Sequence, residues 1–221
     1  MIGATISAVL AVPVMLAAGW AGADAGGRWA AEVHLGGAWN LPLPLLIRQE
    51  GHDDLTFRAR WETRAFKLPL YYVGRLVTRD GNRGWALDLT HHKLYLVDPP
   101  DAVQSFAVSH GYNLLTLHRL VEHDARRYGL GAGLVIAHSE NEVRGQRLDE
   151  RGGPLGRGYH LAGPTLGALA SWLPARRDGP YATAEARLTV SYARVPVAGG
   201  HARVPNVALH VTMGVGWEGA R

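Results

Sequence analysis

The chain has 221 residues, 47% of them hydrophobic, which suffices for one large domain or one closed barrel. It contains no Cys, so disulfide stapling and thiolate metal sites are excluded. The formal charge is +4, but Lys and Arg are scattered along the chain and form no stripe of the kind a nucleic-acid site requires.

The opening stretch, "MIGATISAVLAVPVMLAAGWAGADAGG", is apolar and small, carries no Lys or Arg, and offers A-x-A-like positions at Ala21-Gly22-Ala23 and Ala23-Asp24-Ala25. It reads as a signal peptide over 1–25, leaving 26–221 as the exported domain. Beyond it no apolar run approaches the roughly 18 residues of a membrane helix, so helical spans are not expected.

In chain order, 29–37 reads as a first up-strand and 41–49 as a short down-strand, the latter carrying Pro42 and Pro44, which remove ladder donors. "DLTFRARWETR" (54–64) alternates Leu55, Phe57, Ala59 and Trp61 with Thr56, Arg58, Arg60, Glu62 and Arg64. The stretches "LPLYYVGRLVTR", "WALDLTHHKLYL", "VQSFAVSHGYNLLTLHR", "YGLGAGLVIAHS" and "GYHLAGPTLGALASWL" follow, all rich in β-formers and bounded by Gly, Pro or Asp. In "YATAEARLTVSYAR" (181–194) Leu188, Val190 and Tyr192 alternate with Thr183, Glu185, Arg187, Thr189 and Ser191. "VALHVTMGVGW" (207–217) sets Val207, Leu209, Val211, Met213, Val215 and Trp217 on one face. "GLGAG" (129–133) is small-residue packing inside a strand, not a dinucleotide fingerprint.

Hairpins in series give an antiparallel meander, and alternation alone fits a barrel with its apolar face in or out. Three features favour lipid outside. The strands run to about 10–14 residues, longer than a typical globular strand. The polar face combines small residues with Arg/Glu pairs, which suits a cramped lumen. Aromatic residues (Trp61, Tyr71, Tyr72, Trp172, Tyr181, Tyr192, Trp217) sit near strand ends, as in an interfacial girdle. Taking 50–54, 80–84, 122–127 and 175–179 as the short periplasmic turns places the longer connections, including "TRAFK" and "PVAGGHARVP", on the opposite side. The expected fold is an all-β, antiparallel up-and-down transmembrane barrel of ten strands, with eight as the alternative. The apolar faces of 55–61, 182–192 and 207–217 should form one outward band about 25 Å tall.

The leader, the two-faced hairpins and the terminal strand together resemble the small outer-membrane β-barrels of Gram-negative bacteria, a group that includes OmpA-like, OmpW-like and lipid A-modifying barrels. The resemblance covers about 28–217 and is architectural. It implies an outer-membrane location reached through the periplasm, contact with outer-membrane lipid or lipopolysaccharide, and recognition of an aromatic strand end by the barrel-assembly machinery. Trp217 supplies that aromatic, although Glu218-Gly219-Ala220-Arg221 follow it.

The expected lumen residues are Arg58, Arg60, Glu62, Arg75, Glu185 and Arg187, which could pair across strands and plug the pore. Neighbouring strands also bring "THHK" (90–93), "SH" (109–110) and "HSE" (138–140) into their outer halves. A serine or water nucleophile, a His base and an orienting carboxylate are the parts of ester hydrolysis, so His110, Ser139, Glu140, His138 and His91 are the candidates for an outer-leaflet lipid hydrolase. Ser109 is excluded as a partner of His110, because adjacent strand residues face opposite ways. For the same reason His91 and His92 diverge. The preferred function is a non-enzymatic outer-membrane barrel with a structural, small-solute or adhesion role, and no cofactor or metal is expected. A secreted soluble barrel holding an apolar ligand is the third reading.

Overall fold

The computed structural model describes residues 28–149, 158–174, 177 and 179–219; the expected signal peptide lies outside them. Twelve strands follow in order: β1 (Arg28–Asn40), β2 (Leu43–Gln49), β3 (Leu55–Glu62), β4 (Tyr72–Asp80), β5 (Arg83–Val97) and β6 (Val103–His123), then β7 (Arg126–His138), β8 (Glu140–Val143), β9 (Gln146–Arg147), β10 (Tyr159–Trp172), β11 (Gly179–Val197) and β12 (Gly200–Glu218). Eight of them close a ring, β1-β4-β5-β6-β7-β10-β11-β12, sealed where β12 pairs antiparallel with β1 from Ala30↔Glu218 to Asn40↔Ala208.

The ring therefore has eight strands, not ten, and the reason lies at Pro42. The chain does not turn back after Trp39-Asn40. It continues in the same direction as β2, so that β12 pairs first with β2 (Gly200↔Gln49) and then with β1. Likewise β5 pairs with β3 at Glu62↔Tyr95 and with β4 at Tyr72↔His91, making β3 and β4 one descending run interrupted by residues 63–71. The 50–54 turn accordingly caps the end opposite the termini, with Gly51 at φ +74°, and is not a periplasmic-side turn. "PVAGGHARVP" is mostly strand too, closed by a two-residue turn at Ala198-Gly199 with Gly199 at φ +66°. Pro205 is tolerated because β12 has no ladder partner between Arg203 and Ala208 on its β1/β2 side.

Around the ring the outward positions form an apolar belt. Leu209, Val211, Met213, Val215 and Trp217 on β12, and Leu188, Val190 and Tyr192 on β11, are all 42–73% exposed. From Leu209 to Trp217 the strand rises roughly 26 Å, or about 20 Å of height at a tilt near 40°. Trp29, Trp85, Tyr128, Trp172 and Trp217 girdle the end that holds both termini. Trp61, Tyr71 and Tyr181, counted from sequence as girdle residues, are instead buried.

Inside the belt the wall is charged and small. Gly129, Gly131 and Gly133 face inward on β7, and a Cβ at Gly131 would stand 2.5 Å from Nδ1 of His118, so glycine makes room for that ring. Above the belt, away from the termini, the strands continue as a β head with the opposite polarity. Leu45, Ile47, Ala59, Trp61, Leu94, Phe106, Val108 and Tyr112 are buried in one apolar core, joined by Val195, Val197, Ala202 and Val204 from the β11–β12 hairpin. The apolar face of 55–61 therefore points into this core, with Leu55 and Phe57 packed against it, and not into the belt.

Candidate functional site

Two places concentrate polar chemistry, the lumen and the head-side rim of the belt. In the lumen, Arg75 on β4 reaches across to β5 and holds Asp88 through two parallel bonds, Nε to Oδ1 at 2.8 Å and Nη2 to Oδ2 at 2.9 Å. It also meets Glu32 at 3.2 Å and Glu185 at 2.6 Å. Arg187 donates to Asp88 at 2.6 Å, Glu185 at 2.7 Å and Thr90 at 2.8 Å, while Arg127 pairs with Glu32 at 2.7 Å and Glu122 at 2.9 Å. Tyr181 donates to Glu32 at 2.6 Å and Ser171 to Glu185 at 2.8 Å. Three guanidiniums and four carboxylates thus meet inside the barrel, with Arg75, Glu32 and Asp88 fully enclosed. Such a network is sustainable only because each charge has both a counter-charge and hydrogen bonds.

Of the residues expected in the lumen, Arg75, Glu185 and Arg187 lie in this network. Arg58, Arg60 and Glu62 do not: they are exposed on the outside of the head, where Arg60 pairs with Asp98 and Glu62 with Arg64. Their strand sits above the belt, so its charged face turns to solvent and its apolar face inward. His92 projects inward, its Nε2 3.0 Å from Oδ1 of Asn40, while His210 bridges Tyr71 and Thr189 at 2.8 Å each.

The rim cluster is made by a bulge. Along β5 and β6 the register runs His92↔Tyr112 and then Leu94↔Val108, so Ser109, His110 and Gly111 all lie opposite Lys93. Gly111 adopts φ +132°, a backbone state that side-chain-bearing residues rarely enter. The extra residues break the alternation, and both Ser109 Oγ and His110 Nδ1 donate to the same carboxylate oxygen, Oε1 of Glu140. Glu140 opens β8 opposite Ala107, just past the β7–β8 break. His138, the last residue of β7, pairs with Tyr159 and sets its ring 5.1 Å from that of His110. Hydrogen bonding from His110, above all, holds the Glu140 carboxyl below its usual range; burial opposes this and the Ser109 bond adds to it.

His110, His138 and Glu140 are thus brought together. His91 faces outward on β5, stacked on Tyr72 at 5.2 Å and bonded to Asn113 at 2.7 Å. Ser139 is not part of the cluster; it is buried and accepts from Asn141 at 2.8 Å. Ser109, excluded by alternation, is the serine that reaches Glu140, and the signal for it was the glycine inside "SHGYN", since an isolated strand glycine marks a bulge. The order of contacts is not that of a hydrolytic relay. There the imidazole stands between nucleophile and carboxylate, whereas here Glu140 is the hub and Ser109 Oγ lies 3.4 Å from the same Nδ1 that faces the carboxylate.

A closed antiparallel ring of eight strands, an outward apolar belt with an aromatic girdle and a polar, packed lumen define the class: this is a small outer-membrane-type β-barrel. The outward belt also removes the reading of a soluble barrel whose apolar face holds a ligand. Similar solved structures include Ail, the attachment invasion locus protein of Yersinia pestis, at TM-score 0.41 and 8% identity, covering 87% of this chain and 97% of that one. Ail in complex with the heparin analogue sucrose octasulfate aligns at TM-score 0.40 and 9% identity over the same shares. Neisserial surface protein A aligns at TM-score 0.38 and 12% identity, again over 87% of this chain and 97% of that one. No protein-family model and no curated protein sequence matches the chain.

Proposed function

We propose that the chain is a non-conducting outer-membrane barrel, exported through the periplasm, that holds a rigid β head at the cell surface in a structural or adhesive role. The observation that carries this reading is the double closure of the bore. The buried Arg75–Asp88–Glu185–Arg187 network fills the belt level, a polar layer with His92, His210 and Asn206 follows, and the apolar core of the head lies beyond it. An ion crossing the barrel would have to break paired charges and then enter a dry core. With the bore closed, the surface left to act is the outside of the head, which presents Arg48, Arg58, Arg60, Arg194 and Arg203. The apolar belt would be surrounded by outer-membrane lipid or lipopolysaccharide, and β12, with its outward Trp217, would be the strand read by the assembly machinery.

The test is electrical. The folded protein, inserted in a planar bilayer at 1 M KCl, is expected to give no stable open level. A large, steady single-channel conductance would overturn the proposal and move the protein into the channel class.

A further inference from the structure

We propose that His110, His138 and Glu140 form a binding site for a divalent first-row transition-metal ion on the outward face of the barrel, at the head-side rim of the belt. One potential ligand atom from each residue lies within 4.8 Å of the other two. Two imidazoles and one carboxylate are a donor set for zinc, cobalt, iron or manganese, whereas magnesium and calcium prefer oxygen throughout. Three protein ligands leave further coordination positions open to water or another ligand.

The cluster is assembled by departures from regular sheet geometry. The β6 bulge turns His110 toward Glu140, and the β7–β8 break lets His138 and Glu140, two residues apart, approach it from the neighbouring run. Metal bonds of about 2.0–2.2 Å require the ligand atoms to draw closer than they now stand. The exposed ring of His110, its side chain 55% accessible, can supply that movement. The other two ligands are held. His138 is buried edge-on to Tyr159 at 5.1 Å, and Ser109 tethers the Glu140 carboxylate. Tyr159 also donates to the His110 carbonyl at 3.1 Å, tying β10 to the bulge. Such supporting contacts orient ligands and raise metal affinity. His91 is already committed to Asn113 and Tyr72 and is not in the set.

The experiment uses the full chain without a polyhistidine tag, folded in detergent micelles and checked by heat-modifiable migration. Titration with Co2+, followed by visible absorption and calorimetry, is expected to saturate at one equivalent and to resist a hundredfold excess of Mg2+. His138→Ala and Glu140→Gln should each weaken binding by at least about tenfold while migrating as folded barrels, and Ser109→Ala by roughly tenfold. His91→Ala should leave it unchanged. Absence of Co2+ and Zn2+ binding by the folded wild type, or binding that survives the His138→Ala/Glu140→Gln double variant, would overturn the proposal.

Discussion

The belt half of the barrel and the head above it are made from the same strands, yet their faces carry opposite chemistry. On β12, the outward face reads His201, Arg203 and Pro205 in the head and then Leu209, Val211, Met213 and Val215 in the belt. The inward face reads Ala202 and Val204 in the head, then Asn206, His210 and Thr212 below. The backbone ladder runs through both without interruption on the β11 side. What changes is the solvent: where hydrocarbon surrounds the wall the apolar set must face out, and where water surrounds it the same physics turns that set in. The two halves are therefore held by different forces, ion pairing in a closed bore and apolar burial in a small core.

That contrast is broken most forcefully in the bore. Arg75→Met removes a side chain that touches Asp88, Glu185 and Glu32 together, leaving buried carboxylates under-compensated. The expected loss is about 3–5 kcal/mol, the usual consequence of deleting one member of a buried pair. Urea titration of the folded fraction, read by heat-modifiable migration, measures it. Adding Asp88→Asn should recover part of the loss, because the pair shares one interaction energy. A single-variant loss below about 1 kcal/mol would mean that water already reaches the network.

The head should answer to a different change. Ile47→Ala, at a fully buried position of the apolar core, is expected to cost about 2–5 kcal/mol of the head's stability while leaving the belt ring intact. Limited proteolysis distinguishes the two: the variant should be cut within 43–62 or 198–200 at denaturant concentrations that spare both in the wild type, while the barrel still migrates as folded. Concerted loss of head and ring would show instead that they form one cooperative unit.

How far the sequence reveals this architecture follows from the same inversion. Alternation in 182–192 and 207–217 reads correctly as an outward apolar face because those stretches lie in the belt. The equally clean alternation of Leu55, Phe57, Ala59 and Trp61 reads the wrong way, since period two says nothing about which solvent a strand meets. The error carries Arg58, Arg60 and Glu62 with it into the lumen, and counting 41–49 as a separate down-strand turns eight into ten. Pro42 was legible as a break but not as a break without reversal. At the rim, His110, His138 and Glu140 could be gathered from strand adjacency, but Ser109 could not, because a bulge suspends the rule that excluded it.

The finest division of the two halves lies on a single face of a single strand. Val211 and Arg203 both point outward from β12, eight residues and roughly 26 Å of strand apart. Val211 is 47% exposed within the belt, opposite Gly37 and Ala186 on the neighbouring strands, so Val211→Arg would place a charge against hydrocarbon at an expected cost of about 2–4 kcal/mol, less if it lies near an interface. Arg203, on the outer face of the head and paired in register with Leu46 and Arg194, meets water. Arg203→Val should therefore change stability by no more than about 0.5 kcal/mol, as exposed substitutions generally do. Both are measured in the same liposomes by urea unfolding of the folded fraction. If Arg203→Val stabilises the protein in these liposomes by more than about 1 kcal/mol, the hydrocarbon reaches past Ala208, and the polarity switch lies higher on the barrel than the side chains of β12 place it.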